Sequence, residues 1–357
     1  MVLQWSKLID FYMKNTLILL MLFMAGCGGC EEKKPLQQAE INPVSQAISV
    51  SFYRLDDDLF SADFSQPELA SQQLHRKYGE FYCRFVEDDL RLAPCHSDSV
   101  GKMLVPFVTS HDIVETRKEI NNIFTSEKMA KFNNALTEAM RKWNHYFPDS
   151  LVPGIVYYQS AWNSNIHATD SVIGISLDTY LGADNKITQQ LSPEFFPRYM
   201  KENMDEKYMV ADAVKGWIAW KSRGYYEKRD LLSELVFFGK LMYMSEALIP
   251  DMPDTLLMSW SSMQYEWALS HELNVWKTVA NERVMYQSKS FEINKWFADG
   301  PFTGSEGVPQ ESPPQLGVWL GWSMVRQYME KNPAITMTQL LAEKDYQKIL
   351  SAYTPRR

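Results

Sequence analysis

Gly154-Ile155-Val156-Tyr157-Tyr158 and Ser171-Val172-Ile173-Gly174-Ile175-Ser176-Leu177 decide the fold. Both runs are short, apolar, and rich in β-branched and aromatic residues, so both predict strands. The polar stretch 160–170 between them predicts a long hairpin loop, and with it an antiparallel pairing. Ile48-Ser49-Val50-Ser51-Phe52-Tyr53-Arg54 alternates and predicts a further strand. Residues 66–85 and 115–145 carry helical spacing, with Ile120, Ile123, Phe124 and Phe132, Leu136, Met140 on the stripe. Beyond Pro197 the period becomes helical and stays so, over 198–222, 230–247, 261–283, 315–331 and 336–352. In the fourth of these, Val318, Trp322, Val325 and Met329 share a face. Gly317 and Gly321, one turn apart, would admit another element close to that helix. The expectation is a predominantly helical α+β fold, with a small antiparallel sheet in the first half packed on a helical second half. A single domain over 48–357 should hold it, since neither an internal repeat nor a second linker interrupts the pattern.

Upstream, residues 13–30 read MKNTLILLMLFMAGCGGC. A lysine, a short apolar run, two small residues and a cysteine follow in the order of a lipoprotein signal peptide. The run from Thr16 to Met24 is shorter than the ~20 apolar residues a spanning helix needs. Cys27, which ends the signal region 1–27, is therefore expected to carry a thioether-linked diacylglycerol, with palmitate-type acyl chains as its only prosthetic group, and to become the new N-terminus after cleavage before it. Cys30 competes for this role but fits the box worse. Met13 also reads as a better start than Met1. Residues 28–47 are polar and aperiodic, as suits a flexible tether. Gly28, in place of an aspartate, favours the outer over the inner membrane, and leaves the side of that membrane undecided.

Hydrophobic residues make up 45% of the chain and aromatics 13%, enough for a packed core. The net charge of −8 argues against nucleic acid, which selects a basic face. Cys83 and Cys95 remain in the folded part. In an oxidising compartment they could pair, stabilising by ~3 kcal/mol in the chain-entropy model, or stay as two buried thiols. No metal is expected, because no cysteine or histidine pair lies at the usual ligand spacing.

Motifs are few. His271-Glu272-Leu273-Asn274-Val275 resembles a zinc-peptidase string, but Val275 replaces the second histidine, so a helical surface pair is expected. Asp56-Asp57-Asp58 lacks the glycine and glutamate of a calcium loop and predicts a solvated face. Asp212 lies inside an apolar helical run, where a carboxylate faces solvent, pairs with a cation or serves function.

The chain resembles the gliding-motility lipoproteins of the GldB type from Bacteroidetes. The likeness rests on the signal-plus-cysteine start, VIGISLDTYLG at 172–182 and LLSELVFFGKLMY at 231–243. It ends in GVWLGWSMVRQYM at 317–329 and SAYTP at 351–355. This family is in turn distantly similar to predicted zinc peptidases. In that overlay Asp212, Ala213, Gly216 and Phe238 stand at the catalytic and ligand positions, implying a zincin-like scaffold whose metal motif is degenerate. The resemblance implies an envelope lipoprotein required for gliding, in the company of the type IX secretion machinery, and the expected role is that of a non-catalytic binding or assembly factor rather than an enzyme. Its partners would be the membrane, through the lipid, and envelope proteins. Two rivals stand beside it. One is a peptide or cell-wall hydrolase using Asp178, Asp212 or Glu234. The other is a peptide- or carbohydrate-binding lipoprotein, suggested by 11 Trp.

Overall fold

The computed structural model describes residues 48–356. The signal peptide 1–27, the tether 28–47 and Cys27 lie outside the described residues.

The sheet is mixed. Strands β1 (Phe52–Arg54), β2 (Gly154–Tyr158), β3 (Ile166–Ala168) and β4 (Val172–Ser176) lie in the order β1-β2-β4-β3. β1 runs parallel to β2, with Phe52 opposite Ile155. β2 runs parallel to β4, with Ile155 opposite Ile173. Only β3 is antiparallel, pairing Ile166 with Ile175 of β4. This corrects the expected antiparallel sheet and the expected hairpin over 160–170. The reason is burial. β2 and β4 are covered on both faces, and their runs are apolar throughout instead of alternating, as parallel strands demand. The chain leaves β2, lays β3 along the free side of β4, and turns back through Thr169, whose Oγ1 accepts from Val172 N at 3.1 Å.

Parallel pairing of β1 with β2 needs a long crossover. Six helices supply it: α1 (Leu55–Ser61), α2 (Pro67–Tyr78), α3 (Glu80–Arg84), α4 (Ser99–Thr109), α5 (His111–Ile123) and α6 (Ser126–Tyr146). The expected helix over 66–85 breaks between α2 and α3 at Gly79, whose φ of 56° suits glycine. That over 115–145 breaks before Thr125, which caps α6 by accepting from Lys128 N. Val156 and Tyr158 face one core with Leu55, Leu59, Phe81, Tyr82 and Phe85. Gly174 is obligatory there, since a Cβ would lie 2.2 Å from the Phe81 ring. On the opposite face, Tyr157 donates to Asn133 Oδ1 of α6 at 2.8 Å.

The second half is helical as expected. Two short helices, α7 (Lys186–Gln190) and α8 (Arg198–Asn203), lead to α9 (Met209–Ser222), which packs on β3 and β4. Then come α10 (Leu231–Leu248), α11 (Asp254–Met258), α12 (Ser262–Val279), α13 (Glu282–Met285), α14 (Ser290–Asn294), α15 (Leu316–Lys331), α16 (Met337–Ala342) and α17 (Tyr346–Ala352). Helix α10 is buried almost all round, and an Asp230–Ser233 capping box starts it. No helix among the described residues is long and apolar enough to cross a membrane.

Two surface expectations fail through tertiary pairing. Asp56 is fully buried, not solvated, because the guanidinium groups of Arg54 and Arg117 both close on it. Glu272 is buried as well, accepting from Tyr353 Oη at 2.7 Å, while His271 stacks on Trp267 at 4.2 Å.

Candidate functional site

An open groove of about 630 Å³ lies where the free edge of β3 meets α9. Asn163, Ser164, Ile166 and His167 form one wall; Gly216, Ala219, Trp220 and Arg223 form the other, with Asp89 at the end. Gly216 sets the width on the helix side, where a Cβ would lie 2.6 Å from Ile166 Cγ2.

Asp178 shapes the loop above this groove. Its carboxylate accepts from Trp162 N at 3.0 Å, from Ser160 N at 3.4 Å and from the Ser176 hydroxyl. Ala161 and Trp162 sit at φ 56° and 60°, a left-handed conformation costing on the order of 1–2 kcal/mol per non-glycine residue. Without an acceptor for the Trp162 amide, that turn would relax, and Asn163 and Ser164 would leave the wall. Asp178 is thus a positioning residue. Burial pushes its carboxyl up to about 6, against the hydrogen bonds from Ser176, Trp162 and Ser160 that pull it down.

A pH dependence follows. For a raised carboxyl the stabilising state is the protonated one. Its contribution is full below the unfolded value of 3.8 and is lost as pH rises through about 6. The difference in unfolding free energy, wild type minus Asp178→Asn, should therefore fall between pH 4 and pH 6 and then level off. Urea unfolding of both proteins across that range measures it; a flat difference would show that Asp178 does not titrate there.

The other polar positions singled out from sequence separate. Asp212, on α9 one turn before Gly216, is neutralised by Lys215 Nζ at 2.9 Å and accepts from Tyr180 Oη at 3.1 Å. Lys215 also donates to Leu257 O at 3.1 Å, which fixes the pair. Glu234 sits elsewhere, buried in the first turn of α10, where it accepts from Tyr226 Oη at 2.7 Å. Burial pushes its carboxyl up. Neither Asp212 nor Glu234 lines the groove.

The peptidase overlay can be tested on these side chains. Asp212 is spent on Lys215, Ala213 is buried and carries no donor, Gly216 has no side chain, and Phe238 stacks on Phe297 at 4.9 Å. One paired carboxylate does not make a zinc site, which needs three or four converging donors. These positions do not fit the ion.

Several groove residues escaped sequence inspection. Asp89 Oδ1 lies 3.3 Å from His167 Nδ1, and Asp88 lies 3.8 Å from Nε2 of the same ring. Asp89 is 4% exposed, and its Oδ2 is buried without a hydrogen bond in normal geometry among the described residues. Across the groove, Arg223 stacks on the Trp220 ring at 4.0 Å, and both donate to Asp170. Seventy-eight residues separate Asp89 from His167 in the chain, so no local spacing could signal that pair.

The family model described as gliding motility protein GldB matches residues 36–355, nearly the whole described chain. No curated protein and no solved structure matches significantly. The match includes the three parallel strands β1, β2 and β4, the groove, and the closely packed helices α10 and α15. On that coverage the chain belongs to the GldB family of gliding motility lipoproteins.

Proposed function

We propose that this protein is a non-catalytic assembly or binding factor for gliding motility and the associated type IX secretion machinery. A lipid on Cys27 anchors it, in the outer membrane, and envelope proteins are its partners. The observation that carries the reading is the groove. It offers a strand edge that is unpaired among the described residues, an indole and a guanidinium, the kind of surface that takes an extended segment of a partner. The peptidase positions beside it carry no usable ligand set.

Deletion and complementation in the source organism test this. The deletion strain should lose surface spreading or alter its profile of secreted proteins. Wild type and Asp212→Ala should restore both, whereas Cys27→Ala should not. Failure of Asp212→Ala to complement, at normal protein level, would bring the hydrolase reading forward. Normal spreading and secretion in the deletion strain would favour a ligand-binding lipoprotein of another system.

A further inference from the structure

Away from the groove, four metal-ligating side chains meet. His75 projects from α2, Cys83 from α3, and Cys95 and His96 from the segment before α4. Their donor atoms all lie within 4.8 Å of one another. Cys83 and Cys95 are joined as a disulfide, with Cα atoms 4.9 Å apart. His75 Nε2 lies 3.5 Å from Cys83 Sγ, and the His75 and His96 rings are 4.9 Å apart. The cluster borders a cavity of about 170 Å³ lined by polar groups, among them Gln72, Ser97 and Asp98, through which an ion can reach it.

A disulfide alone does not need this arrangement. Its sulfurs are weak acceptors and carry no charge for an imidazole to balance. Two thiolates with two neutral imidazoles, by contrast, are a complete donor set for tetrahedral zinc. Their complex with a divalent ion is formally neutral, which limits the cost of partial burial. Opening the S–S bond would let the sulfurs separate to about 3.8 Å, the edge of a tetrahedron with Zn–S near 2.3 Å. The donors span residues 75–96 with none of the short paired spacings of familiar zinc motifs, so only the fold assembles them.

We propose that His75, Cys83, Cys95 and His96 form a redox-gated zinc site, a disulfide when oxidised and a four-coordinate metal centre when reduced. A dithiol reductant supplies two electrons and two protons, becoming a disulfide itself, and leaves two thiols on this chain. Zinc then binds both sulfurs and both imidazoles, and the two thiol protons pass to solvent. In either state α3 and the segment before α4 stay cross-linked, and the metal state also ties in α2 through His75.

The test uses the full lipoprotein in detergent, oxidised or treated with a phosphine reductant, equilibrated with zinc and dialysed. Elemental analysis should find stoichiometric zinc on the reduced protein and none on the oxidised protein. Cobalt in place of zinc should give thiolate-to-metal charge-transfer and tetrahedral ligand-field bands. His96 is exposed, so His96→Ala tests ligation without threatening the fold. It should weaken zinc binding by roughly tenfold or more, a loss that even an outer partner of a metal ligand can cause. Absence of stoichiometric zinc on the reduced protein would overturn the proposal. So would equal zinc on the oxidised protein, or equal affinity in His96→Ala.

Discussion

Arg326→Ala should destabilise the protein by about 3–5 kcal/mol, the range for removing one partner from a buried ion pair. The guanidinium holds two carboxylates at once. Nε and one terminal nitrogen donate to Glu246 at 2.7 and 2.8 Å. The terminal nitrogens also donate to Asp254 at 2.9 and 3.0 Å. The plane of the fork lies 3.7 Å from the Trp322 ring centre, and Trp322 Nε1 itself donates to Glu246 at 2.9 Å. Burial alone would lower the Arg326 pKa, but the bonds to Asp254 and Glu246 hold it above its ordinary value, so the charge persists. Truncation leaves both carboxylates buried without the cation and unties α15 from α10 and α11. Arg326→Lys should recover only part of the loss, because an ammonium cannot bridge two carboxylates with a planar fork. Urea midpoints of the three proteins measure the series. A loss under about 1 kcal/mol for Arg326→Ala would mean that water replaces the guanidinium, a behaviour typical of exposed pairs.

Gly321→Val should cost about 3 kcal/mol, at the upper end for overpacking a core. A Cβ at Gly321 would fall 1.8 Å from the Leu235 carbonyl oxygen, and one at Gly239 would fall 2.2 Å from the Gly321 carbonyl oxygen. Both obstacles are backbone, so no side chain can swing aside; α10 and α15 must separate along their whole contact. Gly224→Ala is the control. Its Cβ would meet nothing within 4 Å, and the change should stay within about 0.5 kcal/mol. Thermal or urea unfolding of both variants decides this, and equal effects would remove the close approach as the cause.

Gly317 and Gly321 show how far sequence could go with this pair. Their spacing announced that something comes close to the helix, but not what. The structure sets Gly321 against Leu235 of α10 and Gly317 against Trp296 and Phe297. The acidic positions behave the same way. A lone carboxylate in an apolar run signalled that Asp212 needed a partner, and Lys215, one turn on, was in view. Asp56 gave no such sign, because Arg117 reaches it across 61 residues.

By itself the sequence determined the helical second half and the positions of β1, β2 and β4, all written in local periodicity, whereas β3 lay hidden inside the stretch expected to be a loop. Family membership was legible too, because it rests on runs spread in fixed order along the chain. Sheet direction, the groove and the four-donor cluster were decided only by tertiary structure. Pairing of β2 with β4 depends on which faces the helices cover, a matter of packing between distant segments. His167 meets Asp89, and His75 meets Cys95 and His96, because helices and strands far apart in the chain fold onto one another. Side chains that meet in this way carry no mark in their own neighbourhoods, since the interaction that joins them exists only after the core between them has formed.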